Sequence, residues 1–107
     1  MTKYLHLTLL LLSIIPLRAQ ITLRGVVLDS TSRQCIALSS IVLHPLEGDT
    51  TANVATYTDL QGSYLITGLR SGTKYNVLIH ARGYLDLEQI YTTPQDSTTI
   101  ERTFVLT

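Results

Sequence analysis

The sequence has few of the residues that cross-link a small domain or fill its core: among 107 residues it has one cysteine, one phenylalanine and no tryptophan. With Cys35 as the lone cysteine, an internal disulfide is excluded, so the fold must depend on its apolar core. We interpret Cys35 as a small buried residue, with a reactive or intermolecular thiol as the alternative.

Long apolar runs are also scarce, and the longest lies at the N-terminus. Lys3 precedes eleven mostly apolar residues, 7–17, and the small Ala19 follows. A membrane span needs roughly 20 apolar residues, and this run is about half that length. The layout predicts a secretory signal peptide over residues 1–19 and a domain over residues 20–107.

A marked excess of positive or negative charge is lacking too. Removing Lys3 and Arg18 with the signal peptide leaves six basic residues against eight acidic ones, and the two signs are interspersed. A nucleic-acid-binding protein needs a basic stripe to neutralise phosphates. Nucleic acid is therefore excluded as a partner.

What the sequence has instead is alternation of apolar and polar residues, broken by turn residues at intervals of about 8 to 12. This pattern predicts one all-β domain, a seven-stranded antiparallel Greek-key β-sandwich of the transthyretin-like or Ig-like kind. The residues expected to face the core are Leu23, Val27, Ile41, Leu43, Tyr64, Ile66, Tyr75, Val77, Ile79, Ile100, Phe104 and Leu106.

Two local features qualify this pattern. In the sixth predicted strand the alternation slips between Leu87 and Ile90, which predicts a β-bulge. Tyr57, Tyr84 and Tyr91 fall outside the core phase and are expected at the surface. They are too scattered to make a strong case for a stacking platform.

A succession of short motifs follows the strands in order. They are Leu23-x-Gly25-x-Val27-x-Asp29, Cys35-Ile36, Ser39-x-Ile41-x-Leu43, Thr58-Asp59-x-x-Gly62-x-Tyr64, Leu69-x-x-Gly72-x-x-Tyr75 and Gly83-Tyr84. The succession resembles the carboxypeptidase regulatory-like domain, a seven-stranded transthyretin-like sandwich. This chain departs from the family pattern in three places: Cys35 replaces a proline, Leu38 replaces a glycine, and Lys74 is an added residue.

The resemblance implies a function through surfaces and not through chemistry. Such domains accompany zinc carboxypeptidase catalytic domains or form N-terminal periplasmic extensions of TonB-dependent outer-membrane transporters. The leading prediction is an exported, non-catalytic module of the periplasm or cell envelope, possessing no cofactor, that binds another envelope protein or supports structure. The alternatives are a piece of a longer transporter or carboxypeptidase-type protein, and a small transthyretin-like hydrolase.

Candidate catalytic and metal-binding residues are few. After residue 19 only His44 and His80 remain as histidines, without a His-Glu-x-x-His motif, and no serine lies in a Gly-x-Ser-x-Gly elbow. Asp59 could serve a calcium loop, but its spacing favours a turn in which the carboxylate accepts backbone N–H groups. We predict no metal site and no enzyme.

The remaining candidates form a partner surface. Outward-phase apolar residues such as Val26, Leu28 and Leu78 suggest a patch for another protein or another copy. We expect Arg70, Tyr84 and Leu78 to be the residues that touch a partner. Binding of carbohydrate or peptide is left open.

Overall fold

The fold is seen in a computed structural model that describes residues 20–96 and 98–107. The predicted signal peptide, residues 1–19, lies outside the described residues. In the described part there is no helix long and apolar enough to cross a membrane.

The described residues form eight β-strands. These are β1 (Gln20–Asp29), β2 (Ser40–Pro45), β3 (Val54–Tyr57), β4 (Ser63–Arg70), β5 (Lys74–His80), β6 (Leu87–Thr92), β7 (Thr99–Glu101) and β8 (Phe104–Leu106). They build two four-stranded sheets with the apolar core between them, which confirms the predicted all-β sandwich.

The first sheet is built on β1. Strand β4 pairs with it antiparallel on one side, while β7 and β8 pair with it in parallel on the other, one after the other along its length. The sequence predicts one antiparallel final strand, and the structure divides it into β7 and β8. The division falls opposite Gly25, where the carbonyl oxygen of Arg102 occupies the space that a side chain would need.

The second sheet is fully antiparallel, in the order β3-β2-β5-β6. The register between β5 and β6 runs without a break from the Lys74↔Thr92 pair to the Ile79↔Leu87 pair. The predicted bulge between Leu87 and Ile90 is therefore wrong. The alternation slips because Ile90, which is 64% exposed, lies on the outward phase of β6, opposite to that of Leu87 and Tyr91.

The core matches the predicted phase of the strands. Of the residues expected to face inward, eleven are buried and Ile100 is half-buried against them. Cys35 is a correction, because it is exposed and Ile36 takes the buried position beside it. Only a single bridge to Leu28 holds Cys35, so no strand periodicity decides which of the two neighbours turns inward.

Leu38 stands where the resemblance expects glycine, and its backbone explains why. Its φ is 59°, in the left-handed region that a side chain with a Cβ rarely adopts. The side chain is 66% exposed, so no buried contact compensates for this conformation.

Candidate functional site

The three residues predicted to touch a partner do not lie together. Arg70 pairs with Gln20 at the start of β1, whereas Tyr84 contacts Asp29 at its end. Ten strand residues separate the two ends, which amounts to about 30 Å at roughly 3.3 Å per residue. Leu78 lies on the outer face of the other sheet, so the three belong to three separate regions of the surface.

Arg70 is committed to contacts within the chain. Its Nη2 donates to the carbonyl oxygens of Glu47 at 3.1 Å and Asp49 at 3.2 Å, in the loop between β2 and β3. Its own backbone N–H donates to the hydroxyl of Tyr75 at 2.9 Å. The guanidinium thereby fastens the loop to the end of the first sheet.

Tyr84 forms a hydrogen-bonded pair with Asp29. The phenol donates to Asp29 Oδ2 at 2.7 Å, and the backbone N–H groups of Thr31 and Ser32 donate to Oδ1 at 2.7 and 2.9 Å. The Tyr84 hydrogen bond, followed by those of Ser32 and Thr31, lowers the pKa of Asp29. The same hydrogen bond raises the pKa of Tyr84, with burial adding to it. The pair connects the end of β1 to the turn after β5.

Asp59 organises the turn before β4. Its Oδ1 accepts the backbone N–H groups of Gln61 and Ser63, each at 2.9 Å, and Gly62 adopts a φ of 76°. This is the turn that the sequence favours over a calcium loop. The carboxylate oxygen that the turn engages is already surrounded by backbone donors.

The two histidines each pair with a side chain close to them in sequence. His44 Nδ1 lies 2.5 Å from Asn53 Oδ1, and His80 Nδ1 lies 2.6 Å from Asp86 Oδ1. His44 and His80 face outward on neighbouring strands, four residues apart in register, which places them about 13 Å apart. Among the described residues no three His, Cys, Asp or Glu side chains gather in a way that could hold a metal ion.

An apolar patch crosses the outer face of the second sheet. Register places Ala55, Val42 and Leu78 side by side on three adjacent strands. Tyr57 flanks this row on β3 and Ile90 on β6. We call these five residues the outer-face patch. Its exposed side chains are large, since Tyr57 is 71%, Ile90 64% and Leu78 37% accessible to solvent.

Sequence reasoning found Leu78 and Tyr57 but missed how the patch is assembled. Val42 and Leu78 occupy the polar phase of their strands, which is the signal that marks them as outward-facing apolar residues. Their adjacency follows from the pairing of β2 with β5, which the sequence alone does not specify. Ile90 was missed because the expected bulge obscured its phase.

A groove of about 450 Å³ opens where β7 and β8 separate. It is lined by Arg24, Gly25, Val26, Ser63, Tyr64, Glu101, Arg102 and Thr103. Two of these form a surface ion pair, because Arg24 Nη2 lies 3.0 Å from Glu101 Oε1. The charges of Arg24 and Glu101 therefore partly cancel within the wall of the groove.

Arg102 and Tyr64 shape the groove from the side of the core. The Tyr64 hydroxyl donates to the Arg102 carbonyl at 2.6 Å, and burial raises the pKa of this phenol. The Arg102 guanidinium carbon lies 4.8 Å from the ring centre of Tyr91 and 5.4 Å from that of Phe104. Arg102 thus closes the side of the sandwich by stacking on aromatic rings.

Comparison with known proteins gives likeness in structure alone. No protein-family model matches this chain, and no curated protein matches it in sequence. Membership of the carboxypeptidase regulatory-like family therefore stays a prediction.

Solved structures with this fold include enzymes and surface proteins. Catechol 1,2-dioxygenase from Pseudomonas arvilla C-1 is similar with a TM-score of 0.65 and 10% identity, over 87% of this chain and 53% of that one. The major pilin subunit BcpA of Bacillus cereus has a TM-score of 0.63 and 13% identity, over 80% and 29%. A C-terminal fragment of the pilus adhesin SpaC of Lactobacillus rhamnosus GG has a TM-score of 0.61 and 14% identity, over 83% of this chain and 45% of the fragment.

These likenesses correct one prediction and limit what can be carried over. The prediction that the protein is not an enzyme is contradicted, because catechol, chlorocatechol and hydroxyquinol 1,2-dioxygenases stand among the proteins that share its fold. The chain spans between 53% and 61% of the length of those dioxygenases. At such low identity the likeness shows the fold of a β-sandwich module and not the activity.

Proposed function

We propose that this protein is an exported β-sandwich module of the periplasm or cell envelope that binds another protein through its outer-face patch. The observation that carries the proposal is the row of Ala55, Val42 and Leu78 across three adjacent strands. The face of an antiparallel sheet that meets water is commonly polar. An apolar row at the centre of that face is typical of a surface that another protein covers.

The composition of the patch supports a protein partner. Tyr57 and Ile90, which are 71% and 64% exposed, are large side chains that can each bury substantial area on contact. Tyrosine is also enriched at protein interfaces, where its hydroxyl finds a partner while its ring packs. The occupant that fits is a protein with an apolar centre to its own contact surface.

The outer face of the first sheet supplies a contrast. There the neighbour of Arg24 on β4 is Leu65, which is 58% exposed, and Arg24 itself binds Glu101. This face has outward apolar residues of its own, because Leu28 pairs with Val105 and Val26 with Ser63, but the Arg24–Glu101 ion pair lies directly beside Leu65. It therefore provides a matched position for a control substitution.

The test places a photo-reactive side chain at position 78 in cells that make the protein, with position 65 as the control. We expect cross-linking to one protein from position 78 and none to that protein from position 65. With that partner purified, Leu78→Asp should weaken binding at least about tenfold, whereas Leu65→Asp should leave it unchanged. Equal binding by both variants would refute the patch as the docking surface.

Export is tested separately on the same cells. We expect the protein in the periplasmic or envelope fraction, with Gln20 as the N-terminal residue after removal of residues 1–19. A protein that keeps Met1 and stays inside the cell would contradict export and would leave the patch experiment to stand on its own.

A second candidate is that the sandwich serves as one module of a longer polypeptide, such as a transporter or carboxypeptidase-type protein. The coverage favours it, because the matching sandwich makes up 29% of the pilin chain and 45% of the C-terminal fragment of the adhesin. The mass of the protein isolated from cells distinguishes the two. A mass well above 11.9 kDa would favour the longer polypeptide.

A further inference from the structure

The free edge of β6 carries an ordered row of backbone groups. Thr93 N–H donates to Thr73 O at 3.0 Å, and these two residues continue the register of β5 with β6. Hydrogen-bonded and non-hydrogen-bonded pairs alternate along an antiparallel ladder. The residues of β6 that bond to β5 are consequently Leu87, Gln89 and Tyr91.

The other three residues of β6 turn their backbone away from β5. These are Glu88, Ile90 and Thr92, and each directs one N–H and one C=O toward the open edge. In the described residues no further strand pairs with this edge. The edge therefore presents three donors and three acceptors at a spacing of two residues.

The other edges of the two sheets are interrupted, whereas β6 is not. Strand β3 has only four residues, β4 contains Gly68 and a shift of register against β1, and β7 and β8 are separated by two residues. Proteins protect sheet edges by such short or irregular strands, or by lysine and proline. Strand β6, with the sequence LEQIYT, has six residues in continuous register and contains no lysine, arginine or proline.

We propose that two copies of this protein join edge to edge through β6, antiparallel about a two-fold axis at Ile90. In this register Ile90 faces Ile90 of the second copy, and Glu88 of each copy faces Thr92 of the other. All three outward-facing residues of each copy then exchange N–H and C=O groups, which gives six intermolecular hydrogen bonds. The two four-stranded sheets become one continuous sheet of eight strands.

The side chains agree with this register. The two exposed isoleucines meet on the outer face, where cross-strand apolar pairs stabilise a sheet. Glu88, whose carboxylate accepts from Asn76 Nδ2 at 3.0 Å, meets a neutral threonine and not a second carboxylate. A shift that placed Glu88 opposite Ile90 would leave Thr92 of each copy without a partner on the other β6. Backbone pairing, apolar contact and charge thus favour the same arrangement.

The dimer does not depend on the proposed function, although it would enlarge the patch. Ile90 belongs to the outer-face patch, so a two-fold axis beside it joins the patches of both copies on one face. The β6 edge and Leu78 can nevertheless be tested apart, because Leu78 is on β5 and its backbone bonds to β2, not to the open edge.

The experiment measures the mass of the purified protein by sedimentation over a concentration series, together with amide hydrogen exchange. We expect a monomer that becomes a dimer as concentration rises, and we expect the amides of Glu88, Ile90 and Thr92 to become protected in parallel. Ile90→Pro removes an N–H that makes no bond within the fold, so the fold should persist. Loss of two of the six hydrogen bonds should raise the dissociation constant at least about tenfold.

Two further variants keep the outcome decisive. Ile90→Ala retains the N–H and should dimerise far better than Ile90→Pro, while Ile90→Lys brings two like charges together and should be monomeric even if the proline variant fails to fold. A monomer at every concentration would overturn the proposal. A dimer that survives Ile90→Lys, or one that protects amides of another strand, would overturn it as well.

Discussion

Replacing Gly25 by alanine should be among the most damaging single-methyl changes in this protein. A Cβ at this position would lie 1.9 Å from the carbonyl oxygen of Arg102, and contacts under 3.0 Å essentially do not occur. The obstacle is backbone, so no side-chain rotation can relieve it. The segment between β7 and β8 would have to retreat by about 1 Å or more.

The magnitude follows from what that retreat disrupts. Overpacking of this kind costs roughly 1 to 3 kcal/mol. The displaced residue also makes two short hydrogen bonds, because its N–H donates to Arg24 O at 2.9 Å and its carbonyl accepts from Tyr64 at 2.6 Å. Each is worth about 1 kcal/mol. Gly25→Ala should therefore lower the free energy of unfolding by about 3 to 5 kcal/mol.

Thermal unfolding followed by circular dichroism is the assay, and Gly68→Ala is the control. A loss of 3 kcal/mol corresponds to a fall in Tm of at least about 12 °C in a domain of this size. Gly68 has a φ of 78° but nothing within 4 Å of its Cβ position, so alanine there meets only backbone strain of roughly 1 to 2 kcal/mol. If Gly25→Ala were no worse than Gly68→Ala, the steric account of the β7–β8 division would be refuted.

Three further predictions concern packing, backbone strain and pH. Ile79→Ala removes a fully buried side chain and should cost about 2 to 5 kcal/mol in denaturant unfolding. Leu38→Gly should stabilise the protein by about 0.5 to 1 kcal/mol in the same assay, since relief of the left-handed strain exceeds the entropy that glycine adds to the unfolded chain. Tyr84→Phe should move the pKa of Asp29 upward toward its ordinary value, as measured by NMR titration of the carboxylate.

The sign of the pH effect follows from the direction of the shift. Because folding lowers the pKa of Asp29, its contribution to stability is present above the unfolded pKa and is lost as pH falls through the folded value. Folding raises the pKa of Tyr84, so that contribution is present below the ordinary tyrosine pKa and is lost as pH rises through the folded value. Tyr84→Phe should therefore weaken the dependence of stability on pH, both at acid pH and at alkaline pH.

Each of these predictions has a control elsewhere in the chain. Ile90→Ala, at a position that is 64% exposed, should be near neutral under dilute conditions where Ile79→Ala is not. Leu60→Gly, also exposed but without a positive φ, should destabilise where Leu38→Gly stabilises. Tyr57→Phe should leave the Asp29 carboxylate unchanged. An equal response within any pair would contradict the reasoning for that position.

The inward face of each strand could be predicted because it depends on local alternation. Tyr75, Val77 and Ile79 are separated by two residues, and a strand sends such residues to one side whatever pairs with it. The turn at Asp59 was predictable for the same reason, because its hydrogen bonds reach no farther than Ser63.

Features that depend on distant residues could not be predicted. The division of the last strand results from the approach of Arg102 to Gly25, 77 residues away in the chain, where Tyr64 also contributes a hydrogen bond. The exposure of Cys35 depends on how a loop without alternating apolar and polar residues packs against β1. The outer-face patch was only partly visible, since its residues come from four strands whose order is a property of the fold.

The fold by itself does not determine function, because dioxygenases, a pilin and an adhesin share it at low identity. A difference between the two sheets of this chain is therefore more informative. The first sheet has interrupted edges and an ion pair on its outer face, whereas the second combines an apolar row with an uninterrupted edge. The apolar row and the side chain of Ile90 both lie on the outer face of this sheet. Charged substitutions at Leu78 and Ile90 should therefore weaken association far more than the same substitution at the equally apolar Leu65, with little change in Tm. If charged residues at all three positions were equally tolerated in association assays, the second sheet would have no special role in binding.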